Sequence, residues 1–200
     1  MELFTAIEAR RAVKQYDNSA SVSDSDFHRI MNAVLLSPTS YNIQHWRFIR
    51  VTDADIREQI QEAAWGQTQV TEAAELIVLC ADTQAWSDNP QRYWANTPAE
   101  TQAMMLPMLE SFYTGNAQLQ RDEAMRSCGM AAQTLMLSAK ALGYDTCPMI
   151  GFDTQQLAKI INLPDGHVIS MIITLGQAAK AAKQRAGQLP LNQLLMENSF

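Results

Sequence analysis

Residues 37–48 read Ser-Pro-Thr-Ser-Tyr-Asn-Ile-Gln-His-Trp-Arg-Phe and form a polar loop between a predicted helix and a predicted strand. Hydroxyl and carboxamide side chains dominate the first eight positions: Ser37, Thr39, Ser40, Asn42 and Gln44. Such groups both donate and accept hydrogen bonds, so the loop would suit a ligand with neutral polar atoms along its edge. Polar loops with turn chemistry are common, however, and composition alone favours a plain turn here over a binding site.

The elements on either side of this loop are predicted from capping and periodicity. Ser23 and Asp26 form a variant capping box that begins a helix, and Pro38 disfavours helix at the residue before it. Residues 46–51 are aromatic and β-branched enough for a strand. Thr52 is predicted to cap a third helix, and residues 66–71 are predicted to form a polar turn.

Two unbroken apolar runs, residues 76–81 and 168–175, predict strands that are buried on both faces. Residues 146–151 predict an edge strand or an ordered loop, because Pro148 cannot donate to a neighbouring strand. Two long helices follow one another between these strands, so strict strand–helix alternation fails and the fold class is α/β or α+β. We expect one domain over residues 1–200, with an excursion from the core at residues 82–115.

Composition excludes several classes of protein. The formal net charge is −6 and no run of basic residues occurs, which argues against a nucleic-acid partner. No apolar stretch approaches the length of a membrane span and no signal sequence is recognisable, so a cytoplasmic protein without a membrane partner is expected. The cysteines are predicted to be buried packing residues, and they are Cys80, Cys128 and Cys147.

Common catalytic motifs are absent, but two basic groups remain. The chain has no glycine-rich dinucleotide fingerprint, no phosphate loop, no nucleophile elbow and no histidines at metal-ligand spacing. One basic group lies near the start, at residues 10–14, and the other near the end, at residues 183–185. Each alone is typical of solvated surface charge, but together they would form a phosphate site for a nucleotide-like cofactor.

Four pieces of the chain, in order, resemble the flavin-dependent nitroreductase family. Residues 10–16 resemble its Arg-Arg-Ser-x-Arg/Lys motif, and residues 37–46 resemble its Pro-Ser-Ser-x-Asn-x-Gln-Pro-Trp loop. Residues 143–153 resemble the segment over the flavin, and Lys183-x-Arg185 after Gly176 resembles the C-terminal phosphate contact. The resemblance implies an α+β nitroreductase-like fold, with a mixed, mostly antiparallel central sheet flanked by helices. It also implies a homodimer that binds FMN at the subunit interface, with long core helices at that interface.

The resemblance implies roles for individual residues. The phosphate would be held by Arg10, Lys183 and Arg185. Arg11 and Lys14 would lie along the phosphate, ribityl chain and ring edge, and Ala12 stands beside them where the family usually has Ser. The partner chain's flavin would be contacted by Ser37, Pro38, Thr39 and Ser40, while Asn42 would reach the ring bound by its own chain.

The remaining site residues are implied around the isoalloxazine ring. Gln67 and Gln69 are candidates for its pyrimidine edge. Backbone groups of the segment after Pro148 would face flavin N5, and they belong to Met149, Ile150 and Gly151. Two further departures from the family are His45, at a position that is commonly Pro, and Ile150, at one that is acidic in some members.

The resemblance further implies the reaction. NAD(P)H would pass hydride to flavin N5, and a small-molecule electron acceptor such as a nitroaromatic or a quinone would then take its place. No side-chain acid, base or nucleophile is obligatory, and Lys14 would give electrostatic support to the reduced flavin. The alternatives are a flavoprotein of the same fold with another redox reaction, such as dehalogenation, flavin breakdown or substrate oxidation, and a non-enzymatic FMN-binding protein.

Overall fold

The computed structural model describes residues 1–200 and contains seven α-helices and four β-strands. The helices are α1 (Leu3–Ala9), α2 (Asp24–Val34), α3 (Ala54–Ala63), α4 (Gln69–Glu72), α5 (Ala99–Tyr113), α6 (Ala117–Ala141) and α7 (Thr154–Ile160). The strands are β1 (Trp46–Arg50), β2 (Glu75–Asp82), β3 (Asp145–Met149) and β4 (His167–Gly176). The α+β class implied by the family resemblance is confirmed.

The strands form one sheet in the order β1-β2-β4-β3, and every neighbouring pair is antiparallel. The central strand β2 is buried along its whole length, as its apolar run predicts. Strand β3 lies at an edge of the sheet. Pro148 has no amide N–H to donate, and the edge position of β3 means that no strand on its open side needs that donor. An isolated parallel bridge joins Ala12 to Thr146, so the segment after α1 runs beside this edge.

Helices cover both faces of the sheet. Ile77 and Leu79 of β2 share a buried cluster with α6 on one face. Leu76 and Val78 alternate with them and share a second cluster with α3, α4 and α7 on the other face. An antiparallel strand that is covered on both faces needs apolar side chains at every position, which explains the unbroken run.

The hydrogen bonds at the helix N-termini show which of the predicted caps are present. The Ser23 hydroxyl accepts a hydrogen bond from the Asp26 amide at 3.1 Å, which confirms that cap. The prediction for Thr52 is wrong, because the cap of α3 is Asp53, whose carboxylate accepts from the Ile56 amide at 3.0 Å. The polar turn predicted over residues 66–71 is partly wrong as well, since α4 begins at Gln69.

The segment between β2 and α6 carries a short 3₁₀ turn, Pro90–Trp94, followed by α5. It packs on the polar loop through a small apolar cluster that includes Ile43, Leu109 and Tyr113. Met104, Met108 and Phe112 of α5 are instead about half exposed, so this stripe of the helix is not part of the core. None of the helices combines the length and the apolar character needed to cross a membrane.

Candidate functional site: a cationic pocket between the chain termini

A pocket of about 840 Å³ brings the two basic groups together. Six of its fifteen lining residues are cationic, and none is acidic. The cationic residues are Arg10, Arg11, Lys14, Lys180, Lys183 and Arg185. The pocket therefore gathers six of the chain's fifteen lysines and arginines, although the net charge of the protein is negative.

Backbone pairing explains how residues near opposite ends of the chain meet. After β4 the chain runs along the segment that follows α1, with Asp17 N donating to Gln177 O at 2.9 Å and Ala179 N donating to Gln15 O at 3.0 Å. Arg185 then donates through Nη2 to the carbonyl oxygens of Glu8 and Arg10, at 3.1 and 3.2 Å. This arrangement fixes the C-terminal cations beside the N-terminal ones.

The positive charge in the pocket has no counter-charge from the protein. None of the six cations forms an ion pair with a carboxylate. The pKa of Arg10 is lowered, mainly by burial and then by the nearby charges of Arg185 and Arg11. Mutually repelling guanidinium groups on a partly desolvated wall favour a bound anion, and guanidinium pairs suit phosphate best.

Cys147 lies on the edge strand β3, close to two cations of the pocket, Lys14 and Arg10. Burial raises the pKa of its thiol, while the Lys14 ammonium and the Arg10 guanidinium oppose that rise. Lys14 therefore holds its charge close to β3 as well as lining the pocket. The thiol stays neutral and packs as an apolar group, as do Cys80 and Cys128, which are also buried and free.

The two glutamines near α4 differ in what they can offer a ligand. Gln67 donates through Nε2 to Gly151 O at 2.8 Å and to Ala64 O at 3.1 Å. Its Oε1 accepts from Gln69 Nε2 at 3.0 Å. Gln69 lines the pocket and its Oε1 has no protein partner, whereas Gln67 is absent from the lining. The structure thus places Gln69 at the pocket and leaves Gln67 to hold Gln69 and Gly151 in position.

The segment 148–151 leaves the sheet edge next to these glutamines. Met149 is buried under the sheet edge, but the side chain of Ile150 is 80% exposed. The carbonyl of Gly151 is held by Gln67, so this backbone is connected to the pocket wall through Gln69. The four residues do not themselves line the pocket.

The polar loop lies apart from the pocket within one chain. The Ser37 hydroxyl donates to Thr134 Oγ1 on α6 at 3.0 Å, and Thr39 Oγ1 accepts from the amide of Gln44 at 3.1 Å. Asn42 donates its amide to Tyr93 O at 2.8 Å. None of residues 37–42 lines the pocket, and Pro38 and Thr134 line a separate cavity against α6. The role of Asn42 at its own chain's flavin stays a prediction.

The sequence reasoning missed part of the lining, namely Gln15, Thr68, Lys180 and Gln188. Lys180 carried a usable signal, since it lies three residues before Lys183 on the same segment. The others are ordinary polar residues whose position depends on the fold. No group of three or more His, Cys, Asp or Glu side chains is arranged to hold a metal ion.

Comparisons with known proteins identify the family and the fold of the chain. The model of the nitroreductase family matches residues 7–177. Protein DrgA of Synechocystis sp. is 44% identical over 200 residues, which cover 98% of this chain and 95% of DrgA. MhqN of Bacillus subtilis, named as a proposed NAD(P)H nitroreductase, is 29% identical, with 94% and 95% of the two chains covered. A protein of Exiguobacterium sibiricum solved in complex with FMN has the same fold, with a TM-score of 0.90, 24% identity and 98% and 97% coverage.

Proposed function

Because the chain belongs to the nitroreductase family, we propose that it is an NAD(P)H-dependent oxidoreductase that binds FMN in the cationic pocket. The observation that carries this proposal is the group of six unpaired cations in a cavity that contains no carboxylate. We also propose that residues 1–200 form one FMN-binding domain, with the excursion at residues 82–115 near the active site.

The donor set of the pocket fits the phosphate and ribityl chain of FMN. Arg10, Lys183 and Arg185 would hold the phosphate, because their charges converge where the two ends of the chain meet. Arg11 would lie along the phosphate and ribityl chain, beside Ala12. The volume of about 840 Å³ is in the range of pockets that take small molecules and cofactors.

We place the ring beside Gln69 and Lys14, which both line the pocket. Gln69 lines the pocket, and its Oε1, which accepts no hydrogen bond from the protein, would accept one from a ring N–H. Lys14 would stabilise negative charge at the ring edge. The main chain of residues 148–151 would border the reacting edge, and Gln67 would position it by holding Gly151 O.

FMN, when bound, supplies the hydride chemistry that connects NAD(P)H to a small-molecule acceptor such as a nitroaromatic or a quinone. The protein's own contribution is orientation and electrostatics. The only titratable side chains in the pocket lining are six cations, so the pocket offers no carboxylate or imidazole as an acid or base. The turnover rate should therefore depend on how well an acceptor fits the site and on the positive charge of Lys14.

We propose that the working form is a homodimer. Large apolar side chains are exposed near both ends of the sequence and beside the polar loop, including Phe4 at 69%, Leu36 at 85% and Leu191 at 71%. A partner subunit would cover such side chains. A partner chain would also explain why the loop of residues 37–40 lies away from its own pocket. The cytoplasmic location stays a prediction.

The proposal is tested by the visible spectrum of the purified protein, followed by anaerobic reduction. A yellow protein, or a colourless one that takes up FMN, should be bleached by NADH or NADPH and reoxidised by a quinone or a nitroaromatic. A preparation that binds no FMN would remove the proposal. Bound flavin that neither nicotinamide cofactor reduces would favour a non-enzymatic FMN-binding protein. Reduction without turnover of any acceptor in the panel would favour another redox reaction on the same fold.

A further inference from the structure

Helix α3 ends at a tryptophan whose backbone is left-handed. Trp65 has a φ of 57°, and Gly66 follows with a φ of 74°. The Gly66 amide donates to Gln61 O at 2.9 Å, and the Trp65 amide donates to Glu62 O at 3.0 Å. These two bonds form a Schellman motif, in which the residue at the Trp65 position is normally glycine.

Two other helices of this protein end with the same pair of bonds. Helix α6 has Gly143 at the left-handed position, with a φ of 93°, and α7 has Asn162, with a φ of 49°. Glycine and asparagine are the residues that adopt this conformation most readily, whereas a bulky side chain is strained there. Trp65 is therefore the exception, and the end of α3 would form more easily without it.

Burial does not compensate for this strain. The Trp65 side chain is 71% exposed, whereas Trp46 is 4% exposed in the core. Trp86 and Trp94 are packed within the excursion and are partly buried. A strained backbone that supports an exposed aromatic ring indicates a functional role.

The ring lies against the segment that borders the proposed flavin site. A Cβ atom placed on Gly151 would come within 3.3 Å of Cζ3 of Trp65 and 3.4 Å of Nε2 of Gln67. The indole and the Gln67 amide thus both pack on Gly151, whose carbonyl Gln67 holds. The side chain of Ile150, the residue before Gly151, is also exposed, so both apolar side chains are accessible from solvent beside this segment.

We propose that Trp65 is a specificity-determining residue whose indole forms one wall of the acceptor site and stacks against planar aromatic acceptors. This inference rests on the proposed function, because it places the acceptor beside residues 150–151. Aromatic faces attract one another beyond the effect of buried area. An acceptor without a flat ring, such as hexacyanoferrate(III), offers no surface for such stacking.

The test compares Trp65→Gly and Trp65→Phe with the FMN-loaded wild-type protein. In Trp65→Gly we expect Tm to rise by about 2–4 °C, because the strain at the end of α3 is relieved. The KM for menadione, a planar aromatic quinone, should rise about tenfold, whereas kcat/KM for hexacyanoferrate(III) should stay within about twofold. Trp65→Phe should restore most of the menadione KM. The matched control is Asn162→Gly, at the corresponding position of α7, which should leave both acceptors' KM values unchanged.

Other outcomes would overturn the inference in distinguishable ways. An unchanged menadione KM in Trp65→Gly, with FMN still bound and still reduced by NAD(P)H, would remove the role of Trp65 and leave the proposed function intact. Loss of FMN, or a change of oligomeric state on gel filtration, would instead make Trp65 a cofactor or subunit contact. An equal loss of activity with both acceptors would show that Trp65 does not select between them.

Discussion

His45 is a fully buried histidine that makes the stability of the fold depend on pH. Its Nδ1 is 3.1 Å from the Ser127 hydroxyl, and its Nε2 has no partner. Burial, the main cause, lowers the pKa of His45 from 6.5 to about 4; Arg47 lowers it further and Asp82 opposes the change. The ring is therefore neutral in the folded protein at neutral pH.

We expect the free energy of unfolding to fall as the pH is lowered through this window. The unfolded chain binds a proton at His45 below its ordinary pKa of 6.5, but the folded chain does so only near pH 4. Stability is thus fully present above pH 6.5 and is progressively lost below it, by about 2–3 kcal/mol between pH 7 and pH 4.5. Urea unfolding of the wild type and His45→Gln at several pH values measures the difference in slope.

The control for His45 is His28→Gln, which changes an exposed histidine on α2. This variant should keep the wild-type dependence on pH, whereas His45→Gln should have a flatter one. Identical slopes in wild type and His45→Gln would show that His45 does not carry the effect.

Arg185 combines charge and anchoring at the pocket. Arg185→Ala removes a guanidinium from the proposed phosphate site, and Arg10→Ala removes its neighbour. Each loss of a charge-assisted hydrogen bond should weaken FMN binding by about 1.5–3 kcal/mol, which is roughly a tenfold to hundredfold rise in Kd. Fluorescence titration of the apoprotein with FMN measures this change. Arg29→Ala, an exposed arginine on α2, is the matched control, and equal Kd values in all four proteins would contradict the phosphate assignment.

At the scale of elements, Arg57 connects α3 to the sheet and to the end of α4. Its guanidinium donates to three main-chain carbonyls, those of Val51 at 2.9 Å, Ala73 at 2.6 Å and Ala74 at 3.0 Å. Burial lowers the pKa of Arg57, but the group stays charged at neutral pH. These three hydrogen bonds act as a clamp that holds residues 73–74, at the end of α4, and Val51 to α3.

Arg57→Ala should destabilise the fold by about 2–4 kcal/mol, because three carbonyl oxygens lose their partner together. Urea unfolding at pH 7 measures the change. Gln59→Ala, at an exposed position of the same helix, should stay within about 0.5 kcal/mol of wild type. If the two variants were equally stable, the clamp would have no energetic importance.

For the whole molecule, the separation of the polar loop from the pocket leads to a prediction about assembly. If the loop of residues 37–40 completes the partner's site, dissociation of the dimer should release FMN. Leu36→Glu places a carboxylate on an 85% exposed side chain next to Ser37. We expect it to give monomers by light scattering and to lose the visible flavin absorbance on gel filtration.

The control for this experiment is Ile56→Glu, which adds the same charge at an exposed apolar position of α3. It should remain dimeric and yellow. A Leu36→Glu monomer that retained FMN at wild-type affinity would show that one chain binds the cofactor alone.

Features that depend on neighbouring residues were predictable from the sequence. The unbroken apolar runs identified β2 and β4, and Ser23 was assigned as the cap of α2. Periodicity and capping act over a few residues, so they are visible in the chain itself. The error at Thr52 and the missed helix α4 are local ambiguities between adjacent polar residues.

What only the tertiary structure decided depends on contacts between distant residues. Arg185 meets Arg10 across 175 positions of sequence. Gln69 rather than Gln67 lines the pocket, and the Gln67 amide is bonded to the carbonyls of Gly151 and Ala64 instead. The strain at Trp65 and its contact with Gly151 were also invisible in the chain. Side-chain type determines what a residue can bind, but only packing determines which partners it meets.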